Sequence, residues 1–475
     1  MQTFFWHDYE TSGADSRRDR PLQFAGIRTT LELDVVGAPV MFYAKPARDA
    51  LPHPDACLIT GITPQVGERE GLIEAEFAAR VHEQLAVPGT CTVGYNSLRF
   101  DDEFTRHMLY RNFYDPYARE WEHGNSRWDL IDLARMCHAL RPEGIVWPSR
   151  EDGTPSFRLE HLARANHLQQ EHAHDALSDV HALIDLARLI RARQPRLWEW
   201  YYALRRKQKV FELLDVVHMT PMVHVSSRYP ASRGCLTVIA PLAQHPGRAG
   251  EIIVYDLASD PAEWLALDDD AIADRIFTPR ADLPEGVTRI PLRTVRANHV
   301  PALAPLSVLQ GGDTQRLQLD LDACLRHLET LRGAADLVAK VCRVFQRASA
   351  LPPAEDPELA LYGGDFLSAA ERKSLALVRA TPPGQLRECA TAFRDLRYAE
   401  LLFRYRARNW PDTLDAEETA RWQAFCTARL TRHTALTNLT LDDYFTRIAE
   451  LRSDPAAQNK LALLDQLQVW GEQLT

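Results

Sequence analysis

The chain has no paired-cysteine motif. Its eight cysteines (57, 91, 137, 235, 324, 342, 389 and 426) are scattered through 475 residues without a CxxC. That excludes a zinc ribbon and a secreted disulfide framework and suits a reducing compartment, so a cytoplasmic protein is expected. There is no apolar run of about 18 residues, hence no expected membrane span. The opening MQTFFWHDYE lacks the basic, apolar and small-residue regions of a signal peptide. Positive charge is not in excess: 55 Lys and Arg face 65 Asp and Glu, a formal net charge of −10. Bulk charge therefore implies no nucleic-acid partner, and any basic groove must be local. No internal repeat or low-complexity segment is evident. What is present, 45% hydrophobic and 25% charged residues, is the composition of a globular protein with room for several domains.

Strand and helix signals alternate over residues 1–194. An opening strand is followed by two more in PLQFAGIRTTLELDVVGAPVMFYAKPA, and TCTVGYN is a further short strand. Helical periodicity marks EAEFAARVHEQL, DDEFTRHMLYRNFY, SRWDLIDLARMCHAL, SFRLEHLARANHL and HDALSDVHALIDLARLIRAR. This pattern predicts an α/β domain whose sheet is covered by helices. Residues 195–351 read as mostly β, with a helical piece at DACLRHLETLRGAADLVAKVCRVFQRA. After the Pro- and acid-rich LPPAEDPELA, residues 352–475 read as all-helical.

Four aromatics surround an acidic pair in FFWHDYETSG. In a strand, alternate side chains share a face, so Asp8 and Glu10 point the same way beside Phe4 and Trp6. Two neighbouring, partly buried carboxylates repel unless the strand end is solvated or a cation lies between them. AHDALSDVHALIDLARLI adds a helix whose inner stripe is Ala176, Val180, Leu183, Ala187 and Ile190, with Asp179 at its border. An acidic residue in a first helical turn is also explained by the helix dipole alone. His174 precedes the helix start. In RFDDEF, one of Asp101 and Asp102 is expected to cap the following helix, and spacing does not say which has another role. Acidic side chains without cysteine suit Mg²⁺ or Mn²⁺. Two such ions roughly 3.5–4 Å apart can clamp a phosphodiester, and a neutral histidine can take a proton from water.

HDYETSG, GYNSLRFDDEFTRHMLYRNFYDPYA, NSRWDLIDLARMCHALRPEGI, PSFRLEHLARAN and AHDALSDVHA together resemble the bacterial exonuclease I family, DEDD exonucleases in their histidine variant. Asp-x-Glu, Asp and His-x4-Asp alone would fit many DEDD nucleases; the long blocks between them narrow the likeness. It continues through PMVHVSS, APLAQHP and RYRARNWPDTLD, so it spans essentially the whole chain. The resemblance implies an RNase H-like exonuclease domain, an SH3-like β domain and an all-α C-terminal domain. It implies that Asp8, Glu10, Asp101 and Asp179 ligate two Mg²⁺ ions, Asp8 bridging them, and that His174 is the general base. It selects Asp101 over Asp102. It also implies processive 3′→5′ hydrolysis of single-stranded DNA to 5′-mononucleotides, a role in repair, and binding of the acidic C-terminal tail of single-stranded DNA-binding protein. A monomer is expected.

Binding a single strand needs backbone cations and aromatic faces. Arg106, Tyr117, Trp121, Arg135, Arg141 and Arg158 lie in or beside the matching blocks, and Trp200, Tyr201, Arg205, Arg206 and Lys207 form an aromatic-then-basic run. Arginine on a helix is more often a solvated face, and tryptophan more often core. The histidines at 161, 167, 172 and 181 do not make a closed zinc set, and Cys137 reads as a small buried hydrophobe. Two other readings stand beside the first: an RNA-directed DEDD nuclease, and a protein that binds single-stranded ends with vestigial catalysis.

Overall fold

A computed structural model of the chain describes residues 2–168, 175–309, 313–347, 354–363 and 367–475. Two compact units emerge: Met1–Ser126 with Gln169–Ile184 and Pro352–Thr475, and Arg127–Leu168 with Asp185–Leu351.

In the first unit, strand β1 (Thr3–Thr11) is flanked by antiparallel β2 (Pro21–Thr29) and parallel β4 (Thr90–Gly94). Strand β3 (Val40–Tyr43) pairs antiparallel with β2, giving the order β3-β2-β1-β4. β1 is central, so both its faces are covered and nearly all its residues are buried. Phe5 and Tyr9 pack on one side with Phe24 of β2 and with Phe77, Val81, Leu85 and Met108 of the Glu74–Leu85 and Asp101–Arg111 helices. On the other face Phe4 and Trp6 lie against each other, and Trp6 Nε1 donates to Thr29 Oγ1 at 2.8 Å. The aromatics thus fix the strand that carries the acids.

The C-terminal helices build two further cores in the same unit. Phe113 and Tyr110 join Leu375, Leu401 and Tyr405, while Leu51, Cys57 and Leu58 join Tyr444, Leu464, Leu467 and Trp470.

The second unit contains an antiparallel sheet in the order β10-β6-β7-β8-β9, from β6 (Met222–Val225), β7 (Leu236–Gln244), β8 (Glu251–Asp256), β9 (Leu292–Arg296) and β10 (Ala302–Pro305). The α/β, then β-rich, then helical character matches the fold class expected from sequence.

Four local expectations need correction. SRWD opens as strand β5 (Ser126–Asp129), and Asp129 caps the Leu130–Leu140 helix by accepting the Ile131 N–H. The β-rich stretch also holds a helix, Asp269–Phe277, whose cap is Asp268. The single helical piece near 322–348 is two helices, Leu321–Gly333 and Leu337–Arg347, because the chain turns between them with Asp336 at positive φ. Neither Asp101 nor Asp102 is an N-cap: Phe100 occupies that position, and both carboxylates are engaged elsewhere.

Candidate metal centre

Asp8 and Glu10 project from the same face of β1, opposite Ala25 and Gln23 of β2. Asp179 lies in the first turn of the Ala176–Arg193 helix. That helix is seated by the stripe read from sequence, since Ala176, Val180, Leu183, Ala187 and Ile190 are all buried. Its start is tied to the sheet: the Ala176 N–H donates to Gln23 Oε1 at 3.2 Å. Gln23 stands beside Glu10 in the register, so one side chain links the helix bearing Asp179 to the strand pair bearing Glu10. Sequence reading missed Gln23, because nothing local connects positions 153 residues apart.

These placements bring Asp8, Glu10 and Asp179 together, with one ligand oxygen from each within 4.8 Å of the others. Among the described residues this is the group able to hold a metal ion. Asp8 is half-buried and Glu10 is 8% exposed. Neither is paired with a lysine or arginine among the described residues. Burial, and then the carboxylates of Asp101, Glu10 and Asp179, push Asp8 well above the usual carboxylate range. Burial, followed by Asp179, Asp101 and Asp175, pushes Glu10 up to about 8. Without a cation, these oxygens cannot all be ionised near neutral pH. A hard divalent ion offers the missing charge, and an all-oxygen donor set is what such an ion prefers. The residues present therefore fit the expected metal.

Asp101 is 2% exposed, and its Oδ1 accepts the Tyr9 N–H at 3.2 Å. Its charge reaches both Asp8 and Glu10. Its neighbour Asp102 is turned to the buried Arg119, whose Nη2 donates to Oδ1 at 2.6 Å. The two adjacent aspartates are thus separated by partner: one faces the acidic cluster, the other a guanidinium. His174 lies outside the described residues.

The candidate strand-binding side chains differ widely in availability. In the first unit, Arg106 is buried, donating to Glu120 Oε1 and Glu103 Oε1, both at 2.7 Å. Tyr117 is half-buried with that guanidinium 5.4 Å above its ring, and Trp121 is 59% exposed. In the second unit, Arg135 is buried on Asp132 Oδ1 at 2.6 Å, and Arg141 donates to the carbonyls of Leu140 and Val308. Trp200 Nε1 donates to Leu303 O at 2.7 Å, while Tyr201 is fully buried. The Arg158 side chain is 70% exposed, with Glu160 at 3.5 Å. Arg206 and Lys207 are exposed at the head of the Lys207–Leu213 helix, and Arg205 is half-buried with its guanidinium over the Tyr202 ring. Cys137 is fully buried, and all eight cysteines are free thiols.

Comparison with known proteins gives matches along most of the sequence. Three family profiles match: an exonuclease domain over residues 5–187, an exonuclease I SH3-like domain over 205–347 and an exonuclease I C-terminal domain over 355–474. Exodeoxyribonuclease I of Escherichia coli (strain K12) is 47% identical over 422 residues, covering 89% of this chain and 88% of that protein. The solved structure of a moderately thermophilic exonuclease I from Methylocaldum szegediense superposes with a TM-score of 0.95 at 50% identity, covering 100% of both chains. A zinc-ion-bound form of the E. coli exonuclease I–single-stranded DNA complex superposes with a TM-score of 0.92 at 43% identity, again over 100% of both.

Proposed function

Because the chain belongs to the exonuclease I family, we propose that it removes mononucleotides from the 3′ end of single-stranded DNA, processively. The observation that carries this reading is the convergence of Asp8, Glu10 and Asp179 into one set of oxygen donors, with Asp101 alongside. Support for the substrate comes from the E. coli relative, named an exodeoxyribonuclease and crystallised with single-stranded DNA.

In this proposal Asp8, Glu10, Asp101 and Asp179 hold two divalent ions, Mg²⁺ with Mn²⁺ as a substitute. The ions would supply charge neutralisation for these carboxylates and Lewis acidity toward the scissile phosphodiester. The chain's own contribution is placement: β1 fixes two carboxylates, and the helices starting at Asp101 and Ala176 deliver the other two. His174 is assigned as the base that takes the proton from the attacking water, an assignment resting on the family resemblance. Trp121, Arg158 and Lys207 are the proposed strand contacts with most accessible surface; Arg106, Arg135, Arg141, Tyr117 and Trp200 would act mainly by holding the structure around them within their own unit. The proposed domain boundaries remain 1–194, 195–351 and 352–475. From the resemblance come also the proposed monomeric state, cytoplasmic location, repair role and binding of the acidic tail of single-stranded DNA-binding protein.

The test is digestion of matched single strands labelled at the 3′ or the 5′ end, with Mg²⁺ or EDTA, in DNA and RNA versions. Immediate release of the 3′ label from DNA, only with Mg²⁺, is expected. Preference for RNA would assign the site to an exoribonuclease, and retention of both labels would leave only a binding protein.

A further inference from the structure

A second concave site lies in the first unit, away from the acidic cluster. It is a cavity of about 320 Å³, with Arg20, Lys45, Arg48 and Arg408 supplying cations against the carboxylates of Glu68 and Glu74, and Phe77 and Trp422 contributing apolar wall. This volume is at the lower end of what small-molecule sites occupy, roughly 300–1,000 Å³, and the mixture of apolar wall with a few convergent polar groups is typical of them.

The cations are not fully answered by the protein. Arg20 is 7% exposed, and its Nη2 donates to Glu358 Oε2 at 3.1 Å. Its Nε and Nη1 are buried without a hydrogen-bond partner. Nη1 of Arg111 is orphaned in the same way. Burial, and then the Arg20 cation, bring Arg111 down to about 10. The guanidiniums of Arg20, Arg111, Arg408 and Arg429 share three carboxylates, Asp49, Glu74 and Glu358. Arg404 also reaches Glu358 but has Asp356 and Glu400 besides. With Arg404, Asp356 and Glu400 counted, five guanidiniums meet five carboxylates, so the excess positive charge at the cavity comes from its rim. At the rim, Lys45 is exposed and its ammonium has no ion pair or hydrogen bond among the described residues. Arg48 is held by Glu68 at 3.1 Å. Orphaned buried donors are rare in native proteins and call for a partner.

We propose that this cavity binds a small organic phosphate monoester of about mononucleotide size, its dianion facing Arg20 and Lys45 and its body against Phe77 and Trp422. Guanidinium donors match phosphate oxygens in number and direction, and a lysine at the rim adds a mobile point charge. The apolar wall is what separates an organic phosphate from the free ion. The proposal is independent of the hydrolytic reading, because none of these residues belongs to the acidic cluster.

Isothermal titration of the full-length protein in EDTA with 5′-dAMP, deoxyadenosine and inorganic phosphate tests it. One saturable site for 5′-dAMP is expected, at least tenfold tighter than inorganic phosphate, with no measurable heat from deoxyadenosine. Lys45→Glu, an exposed change, should weaken 5′-dAMP at least tenfold with Tm unchanged, while Asp8→Ala leaves binding as it was. The proposal is overturned by any of four results: no saturable binding, equal affinity in Lys45→Glu, equal binding of deoxyadenosine, or loss of binding in Asp8→Ala. Arg20→Gln provides a second probe, and unchanged affinity in a folded Arg20→Gln protein would also overturn it.

Discussion

The Tyr9 backbone N–H donates to Asp101 Oδ1 across 3.2 Å, joining residues 92 positions apart. Tyr9 stands between Asp8 and Glu10, so this bond locks the start of the Asp101–Arg111 helix to the segment carrying both strand acids. A second contact repeats the link one turn later, where the Tyr9 and Thr105 hydroxyls lie 3.0 Å apart. Asp101 thus has two duties, as a charge beside the metal set and as acceptor for a buried amide.

Two substitutions at Asp101 separate these duties. Asp101→Asn keeps an amide oxygen for Tyr9 and removes the charge, whereas Asp101→Ala removes both. Leaving a buried donor unsatisfied costs about 1–3 kcal/mol. Asp101→Ala is therefore expected to melt lower than Asp101→Asn, with both losing at least 100-fold in turnover. Thermal melts beside a strand-digestion assay check this; identical melting of the two would remove the structural duty.

The acidic cluster should stabilise the fold less than it serves catalysis. With metal chelated, the Asp179 carboxylate repels those of Asp8 and Glu10 and raises the affinity of both for protons. Asp179→Asn relieves that repulsion, so its Tm in EDTA should equal or exceed that of the unaltered chain. Adding Mg²⁺ at about 100 times its Kd should stabilise the unaltered protein by about 3 kcal/mol. The same addition should do little for Asp179→Asn, whose activity falls at least about 1,000-fold. An Asp179→Asn protein that gained as much from Mg²⁺ would place the metal elsewhere.

Much of this site was legible because its local signals are strong. FFWHDYET is an aromatic strand with two same-face acids, and the spacing from Ala176 to Ile190 defines an inward helical stripe that positions Asp179. The choice of Asp101 over Asp102 was not legible from spacing, since it depends on which carboxylate meets Tyr9 and which meets Arg119. The role of Gln23 was hidden for the same reason. Arginines were the least readable residues. Arg106 and Arg158 look alike in sequence, yet one is buried on two glutamates and the other is largely in solvent. The helix at Asp269–Phe277 was missed because short helices inside a β-rich stretch leave little periodicity to detect.

That difference among arginines and aromatics predicts separable effects on strand binding. Lys207→Glu should lower affinity and reduce the slope of log K against log salt by about 0.7 for each lost phosphate contact. Trp121→Ala removes a stacking face and should cost about 1–3 kcal/mol of binding with the slope unchanged. Arg106→Ala leaves Glu103 and Glu120 without their buried cation, so it should lower Tm first. Affinity measured from 50 to 200 mM salt, in EDTA to prevent cleavage, tells the three apart. A salt-slope change for Trp121→Ala and none for Lys207→Glu would reverse the assignments.

Gly26 controls how closely β2 lies on the aromatic side of β1. It pairs with His7, and a Cβ built there would stand 2.3 Å from Phe5 Cζ and 3.2 Å from the Trp6 carbonyl oxygen. Phe5 is fully enclosed, with the Arg28 guanidinium 4.9 Å over its ring, so it has little room to yield. Gly26→Ala should cost about 1–3 kcal/mol. It should also depress kcat, since Asp8 is three residues beyond Phe5 on the same strand. Tm and kcat falling together is the expected outcome; a fully active, fully stable variant would mean that the ring swings aside freely.

The buried ion cluster sets how the fold responds to acid. Burial alone would raise Asp49, but Arg408 and Arg429 outweigh it and hold its carboxyl well below the usual range. Burial would likewise raise Glu358, and Arg408, Arg20 and Arg404 outweigh it and hold that carboxyl well below the usual range. Both acids are fully enclosed, and Arg408 bridges them at 2.8 and 2.6 Å. A folded pKa below the unfolded value, about 4 for these groups, means that the unfolded chain takes up protons first as the pH drops. Their stabilisation is therefore complete above about pH 5 and drains away as the pH falls below 4. Asp49→Asn leaves Arg408 and Arg429 short of a counter-charge and should cost about 3–5 kcal/mol at pH 7. The Tm gap between this variant and the unaltered protein should stay level from pH 8 to 5, then narrow below 4. A gap independent of pH down to 3 would show that the lost stability is packing rather than charge.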